Sequence, residues 1–265
     1  MRFSCLFLFL YMLTCFQANC QAVDSEDQVE LVKVDMIARD VFETAKWYVK
    51  HLSFKVKKAK SKEYAILEKG DFTLHITTSK HTVTTAQVKL PLNKERINGF
   101  YELGFQCSDL DSLMFQYEGR DIRTLQDLGF DMEYQTNTVV LADPDGNRVK
   151  LFQSKEEIPG YVFVKPNYIS ITTSDIETGV RWYKTNLGFK EISNNYAERA
   201  RISYCILQKG GFIVELQELS GRTMEITELL SSYIELARIE VISLSSDSKK
   251  ELKVITDNDG NKLKY

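Results

Sequence analysis

DVFETAKWYVKHLSFK at residues 40–55 returns, with its aromatic and apolar side chains at the same spacing, as DIETGVRWYKTNLGFK at residues 175–190. Two further pairs follow in the same order: residues 64–72 match residues 204–212, and DPDGNRVK at 143–150 matches DNDGNKLK at 257–264. Three matches in one order indicate an internal duplication. The second copy is shorter between its middle and its end, so a shortened second repeat is predicted.

Each copy begins with an alternating strand, which an aspartate separates from an amphipathic helix. In the first copy we expect this strand over residues 29–38 and the helix over 41–52, because apolar side chains recur there at helical spacing. Further strands are predicted over 64–67, 72–77, 99–107, 138–142 and 148–153, with a second helix over 111–119. The DPDGN sequence at 143–147 is typical of a turn, since Pro presets φ and Gly allows positive φ.

This pattern resembles the vicinal-oxygen-chelate superfamily, the group of glyoxalases, bleomycin-resistance proteins and extradiol dioxygenases. The resemblance rests on the helix ending in Trp-Tyr-x-x-x-Leu-Gly-Phe and on the DPDGN turn. It implies an α+β fold of two tandem glyoxalase-like domains, each pairing two βαβββ modules around a ligand cavity. We expect domain 1 over residues 23–155, a linker over 156–165 and a truncated domain 2 over 166–265.

The first 22 residues are typical of a secretory signal peptide. Arg2 is followed by an apolar run over residues 6–13 and by small or polar residues that end at Ala22. We therefore expect a secreted or periplasmic protein. The residues before Cys20 do not suit lipidation, so a lipoprotein is not expected. No later stretch is long and apolar enough to span a membrane, which predicts a soluble mature protein.

Charge and cysteine content limit the partners. Lys and Arg number 34 against 37 Asp and Glu, a net charge of −3, so the basic surface of a nucleic-acid-binding protein is not expected. Cys107 and Cys205 lie in alternating apolar runs and are expected to be buried thiols rather than a disulfide. The expected partner is a small molecule, and the chain is expected to be a monomer or a homodimer.

His51 and His81 are expected at the surface.

The resemblance also implies where a metal would bind. Family members that hold a metal place its ligands at four positions, which correspond to Lys33, His75, Glu102 and Lys150 in the first copy and to Tyr168, Glu215, Glu240 and Lys264 in the second. A charged lysine has no lone pair to give a cation, and catalytic zinc takes about three His, Asp, Glu or Cys ligands. We therefore predict no cofactor, with a divalent metal (Zn, Fe, Mn or Ni) as the alternative.

Strand alternation predicts which polar side chains line the first cavity: Lys33, Asp35, His75, Glu102, Gln106 and Lys150. Three interpretations remain open. Lys33 and Lys150 pair internally with Asp35 and Glu102; or the residues form a pocket for a small polar or anionic ligand; or Asp35, His75 and Glu102 form a displaced metal site. The corresponding functions are a metal-free binding protein, which we favour, a metal-dependent lyase or dioxygenase, and a non-catalytic structural or interaction module.

Overall fold

The computed structural model describes residues 30–60, 62–78, 99–154, 164–197, 202–219, 238–245, 254–257, 259 and 261–264. The predicted signal peptide and His81 lie outside these residues. The helices of the described part are α1 (Val41–Leu52), α2 (Leu110–Tyr117) and α3 (Ile176–Leu187). None of them is long and apolar enough to cross a membrane.

The strands fall into four consecutive modules. Module 1 contains β1 (Glu30–Ala38), β2 (Lys55–Lys60), β3 (Tyr64–Lys69) and β4 (Phe72–Thr78), and module 2 contains β5 (Gly99–Cys107), β6 (Arg123–Asp131), β7 (Thr136–Ala142) and β8 (Arg148–Gln153). Module 3 contains β9 (Val164–Thr172), β10 (Lys190–Ala197), β11 (Ile202–Lys209) and β12 (Phe212–Leu219). Module 4 contributes β13 (Arg238–Ser245), β14 (Val254–Thr256) and β15 (Lys262–Lys264) to the described residues.

These modules form two sheets of mixed strand direction. The first sheet has seven strands in the order β14-β15-β13-β1-β4-β3-β2, and the second has eight in the order β10-β11-β12-β9-β5-β8-β7-β6. The modules join through antiparallel pairs, β1 with β13 in the first sheet and β5 with β9 in the second. Helices and mixed sheets give the α+β class that the sequence predicts.

Neither sheet is built from one copy alone. Module 1 pairs with module 4, and module 2 pairs with module 3. Both predicted repeats are present, and each sheet joins a module of the first copy to a module of the second. The domain limits at 155 and 166 stay a prediction. The consequence for function is that side chains predicted to share one cavity belong to different sheets.

Side-chain caps and left-handed residues set the ends of the two repeated helices. Asp40 accepts hydrogen bonds from the backbone N–H groups of Phe42 and Glu43 at the start of α1, which ends at Ser53 in the left-handed region. α3 is capped in the same way by Asp175 and ends at Gly188, whose φ is 69°. A carboxylate at an N-cap satisfies amide donors that have no partner within the helix.

A second kind of contact joins the modules within each copy. The Tyr48 hydroxyl in α1 donates to Asp143 Oδ2 over 3.4 Å, and the Tyr183 hydroxyl in α3 donates to Asp257 Oδ2 over 3.1 Å. Both aspartates lie in the turns before β8 and β15, and each is buried. Helix-to-turn contacts therefore hold each copy together, while strand pairing joins the two copies.

His51, expected at the surface, is buried with 5% of its surface exposed. Its ring centroid lies 5.4 Å from that of Trp47 and 5.6 Å from that of Tyr117. Burial, with smaller contributions from the charges of Lys50 and Arg120, lowers the pKa of His51 to about 4. The helical spacing from Tyr48 to His51 places both on the buried side of α1, which is the signal that the prediction overlooked.

The two cysteines behave as predicted. Cys107 and Cys205 are free and buried, and burial raises the pKa of the Cys107 thiol to about 11 and that of Cys205 to about 12. Both side chains act as small apolar core residues.

Candidate functional site

The polar residues predicted to line one cavity are divided between the two sheets. Lys33 and Asp35 lie on β1 and His75 on β4 of the first sheet, whereas Glu102, Gln106 and Lys150 lie on β5 and β8 of the second. The displaced metal set of Asp35, His75 and Glu102 is thus not brought together. Across the described ranges no group of three or more His, Cys, Asp and Glu side chains is placed to hold a metal ion.

On the first sheet, Asp35 joins two cationic or ionisable side chains. β1 and β4 run parallel with Asp35 opposite His75. Oδ1 of Asp35 lies 2.6 Å from Nζ of Lys33 and 3.0 Å from Nδ1 of His75. The side chains of Lys33, Asp35 and His75 keep 35%, 18% and 30% of their surface exposed. The predicted Lys33–Asp35 ion pair is therefore present and open to solvent.

Two residues of neighbouring strands extend this polar face. The Tyr64 ring on β3 lies edge-on to the His75 ring, with 6.2 Å between centroids, and Nζ of Lys58 on β2 lies 5.8 Å from the Tyr64 centroid. We call Lys33, Asp35, Lys58, Tyr64 and His75 the first-sheet site. It carries two ammonium groups and one carboxylate, with an imidazole that becomes cationic when protonated.

On the second sheet, four of the eight family positions meet on adjacent strands. Glu102 on β5 and Lys150 on β8 come from the first copy, while Tyr168 on β9 and Glu215 on β12 come from the second. Glu102 and Glu215 both lie opposite Ser170 of β9. These four residues are at most 7% exposed. We call them the second-sheet cluster.

Every charged member of the second-sheet cluster has partners in the protein. Arg148 Nε donates to Glu102 Oε1 over 2.6 Å, and Lys150 Nζ lies 3.2 Å from Asp131 Oδ2. Glu215 accepts hydrogen bonds from the Tyr134 hydroxyl and from Gln217. Burial raises the pKa of Glu102, and the positive charges of Arg148 and Lys150 oppose that rise. Internal ion pairs thus occupy this sheet, but with partners other than those the ion-pair interpretation named: Lys150 pairs with Asp131 and Glu102 with Arg148.

The turn between β6 and β7 covers the second-sheet cluster. The Tyr134 ring lies 5.0 Å from that of Phe152 and 5.9 Å from that of Tyr168, measured between centroids. Glu133 in the same turn accepts a hydrogen bond from Asn195 of β10 over 3.0 Å. Sequence reasoning missed Asp131, which ends the largely exposed strand β6, and Tyr134, which lies in the turn after it.

Gln106 lies apart from the other predicted side chains of its strand. Its amide Nε2 donates to Ser154 Oγ over 2.8 Å, just beyond the end of β8. Gln106 therefore fixes the end of a strand and does not join Glu102 and Lys150.

The residues of both sheets are a poor fit to a divalent metal. In the second-sheet cluster an ammonium and a phenol take two of the four positions, and hydrogen bonds already occupy the two carboxylates. On the first sheet the described donors are His75 and Asp35, and Asp35 already binds the Lys33 ammonium. A catalytic zinc site needs about three protein ligands and excludes a neighbouring cation. We therefore derive no step through a metal.

Comparison with known proteins agrees with the module architecture. Residues 30–151 match the model of the glyoxalase/bleomycin resistance protein/dioxygenase superfamily. Glyoxalase I from Zea mays aligns over 89% of this chain and 91% of its own, with 14% identity and a TM-score of 0.60. A putative dioxygenase from Bacillus subtilis aligns over 89% of this chain and 84% of its own, with 9% identity and a TM-score of 0.61. No curated protein matches the sequence. At these identities the solved structures show the fold alone.

Proposed function

Since residues 30–151 of this chain match the glyoxalase/bleomycin resistance protein/dioxygenase superfamily, we propose that the chain is a member of that superfamily and that it binds a small anionic molecule at the first-sheet site without a metal. One observation carries the proposal. Lys33 and His75 share the carboxylate of Asp35 on a partly exposed face, whereas the side chains at the corresponding positions of the second sheet are buried and paired with other residues of that sheet.

The chemistry of the first-sheet site suits a carboxylate or phosphate group. The Lys33 ammonium has three donors and gives one of them to Asp35. Lys58 adds a second ammonium beside the Tyr64 ring. His75 directs Nδ1 to Asp35, so that, among the described residues, Nε2 is the ring nitrogen available to a ligand. Charge-assisted hydrogen bonds from such donors are stronger than neutral ones.

Titration of the purified protein with succinate, inorganic phosphate and the neutral analogue succinamide tests this proposal. We expect saturable chemical-shift changes or heat with at least one anion and none with succinamide. Lys33→Met should weaken anion binding at least tenfold. Lys165→Met is the matched control, because Lys165 is an exposed lysine that pairs only at the surface with Glu30. Equal anion affinity in Lys33→Met and the wild type would overturn the proposal.

The runner-up function is a metal-dependent lyase or dioxygenase, and metal analysis separates it from the proposal. The protein should be purified without chelator and without a nickel column, beside His75→Ala and Glu102→Ala. We expect substoichiometric metal in all three proteins. The runner-up function would be favoured over anion binding if the wild type held stoichiometric iron, zinc, manganese or nickel and His75→Ala lost it.

We further propose that the protein is exported, to the periplasm or the cell exterior. The support is the charge, apolar core and small-residue end of residues 1–22. Intact mass and N-terminal sequencing of protein from its natural host should show a chain that begins near residue 21 or 23. A chain that retains Met1 or Arg2 would contradict export by this route.

A further inference from the structure

The ammonium group of Lys150 is enclosed by aromatic rings. Its Nζ lies 4.5 Å from the centroid of Tyr134, 5.1 Å from that of Phe152 and 5.6 Å from that of Tyr168. Asp131 Oδ2 lies 3.2 Å away, and Lys150 is 7% exposed. Three ring faces and one carboxylate thus replace most of the water around this cation.

Such surroundings are those of a site for organic cations. A buried ammonium is unfavourable unless it is paired, because it loses its hydration. Ring faces attract a cation within about 6 Å through their quadrupole, and they do so most strongly where water is excluded. The three rings and Asp131 therefore form a binding site for an alkylammonium group. In the wild-type protein the group that fills this site is the side chain of Lys150.

Lys150 also lies near the two buried carboxylates of the second-sheet cluster, those of Glu102 and Glu215. Its charge opposes the rise that burial causes in the pKa of Glu102. Glu215 lies on the other side of the Tyr168 strand and hydrogen-bonds the same Tyr134 whose ring covers Lys150. The Lys150 ammonium, together with the Arg148 guanidinium on Glu102, thus offsets negative charge in the second-sheet cluster, where a divalent metal does not fit.

We propose that the second sheet contains a cation site whose cation is the Lys150 ammonium, and that removing this side chain opens the site to a small primary alkylammonium. Truncation to alanine deletes the atoms from Cγ to Nζ, which correspond to propylammonium. The proposal is independent of anion binding on the first sheet, because it concerns other residues on another sheet.

Chemical rescue of Lys150→Ala tests the proposal. We expect this variant to melt at least about 5 °C below the wild type, because the partly buried carboxylate of Asp131 and the buried carboxylate of Glu102 lose a cation. Propylammonium at tens of millimolar should restore much of the difference, and 1-propanol should not. Lys184→Ala removes an exposed lysine paired with Glu191 and should show no specific response to propylammonium.

Lys150→Met keeps the proposal falsifiable if Lys150→Ala fails to fold. Methionine retains the apolar volume of lysine and removes the charge, so Lys150→Met should also lower Tm. Propylammonium should not restore this loss, because the methionine side chain still fills the space between the rings. A Lys150→Met protein as stable as the wild type would show that volume alone matters and would overturn the proposal. Stabilisation of Lys150→Ala by zinc or manganese in place of propylammonium would also overturn it.

Discussion

The ring of Tyr168 lies directly against the backbone of Gly104, its partner across the antiparallel pair of β5 and β9. A β-carbon added to Gly104 would stand 2.3 Å from Cδ1 of Tyr168 and 2.7 Å from its Cβ and Cγ. This junction joins the first copy to the second in the eight-stranded sheet. The close approach of a buried ring, rather than a positive φ, is what excludes a side chain at position 104.

Replacing Gly104 by alanine should therefore destabilise the protein. An alanine in a strand interior is ordinarily more stable than glycine by about 0.5–1 kcal/mol, but forced overpacking costs about 1–3 kcal/mol and can cost more. We expect a net loss of about 2 kcal/mol in the free energy of unfolding, measured with urea. Gly211→Ala is the control, because nothing lies within 4 Å of its added β-carbon. A Gly104→Ala protein as stable as this control would contradict the packing.

The sequence predicted the repeated elements but not which modules share a sheet. α1 was predicted with its observed bounds, because its cap and apolar spacing are local signals. The exchange of modules between copies was missed, because alternation in β1 or β5 specifies a buried face and not which strand lies alongside. Gly104 inside the apolar strand β5 is a sequence signal of this junction, because a glycine there often marks close backbone approach.

The sequence predicted which polar residues line the sheets, but not which of them lie together. Lys33, Asp35 and His75 were correctly placed on one face, because residues two apart on a strand share a face and their strands are neighbours. Glu102 and Lys150 lie on the other sheet, which strand alternation alone does not reveal. Tyr134 reaches the second-sheet cluster from a turn, and turn residues carry no periodic signal.

The Arg148–Glu102 pair predicts a pH-dependent defect. Arg148→Met leaves the Glu102 carboxylate buried without its closest cation, which costs about 3 kcal/mol for a pair of this kind. Burial already raises the pKa of Glu102 above its ordinary 4.5, and loss of the guanidinium raises that pKa further. A raised folded-state pKa penalises the ionised form, so the penalty is full at neutral pH and falls as Glu102 takes up a proton.

We therefore expect the stability difference between the wild type and Arg148→Met to shrink as pH falls from 7 towards 4.5. Urea unfolding at a series of pH values measures it. The control is Arg148→Met combined with Glu102→Gln, in which the pH dependence of the difference should disappear. A defect of constant size from pH 7 to 4.5 would show that Arg148 acts through packing and not through the charge of Glu102.

Asp35 competes with any bound anion for the Lys33 ammonium. Removing the Asp35 charge should therefore raise anion affinity, whereas most substitutions in the first-sheet site should lower it. Asp35→Asn removes a negative charge 2.6 Å from the Lys33 ammonium. At a separation near 4 Å a unit charge contributes about 1 kcal/mol in water, so anion affinity should rise roughly fivefold at low salt. Titration with succinate at 10 and 300 mM NaCl measures this gain, which screening should reduce.

Glu43→Gln is the matched control for Asp35→Asn, since Glu43 is an exposed carboxylate in α1 whose distance to Lys46 is 3.6 Å. It should leave anion affinity unchanged. Weaker binding in Asp35→Asn would instead mean that Asp35 orients Lys33 or His75 for the ligand.

The duplicated tyrosine–aspartate contacts predict unequal effects of one substitution at two related positions. Tyr183→Phe removes a 3.1 Å hydrogen bond to buried Asp257, and Tyr48→Phe removes a longer one of 3.4 Å to Asp143. The Tyr183 hydroxyl opposes the rise that burial causes in the pKa of Asp257, so its loss leaves that carboxylate less well satisfied. Hydrogen bonds to charged groups contribute about 1.5–3 kcal/mol.

We expect Tyr183→Phe to lower the free energy of unfolding by about 2 kcal/mol and Tyr48→Phe by less, because the Tyr48 contact is longer. A double-mutant cycle with Asp257→Asn should assign most of the Tyr183 effect to the pair. Two results would contradict this prediction: equal losses of unfolding free energy at both positions, or a Tyr183–Asp257 coupling energy near zero. Either would mean that packing of the tyrosine ring, rather than its hydroxyl, holds each helix against its turn. Since α3 docks on a turn of module 4, whose β13 pairs with β1, destabilisation from Tyr183→Phe should also reach the first sheet and weaken anion binding there.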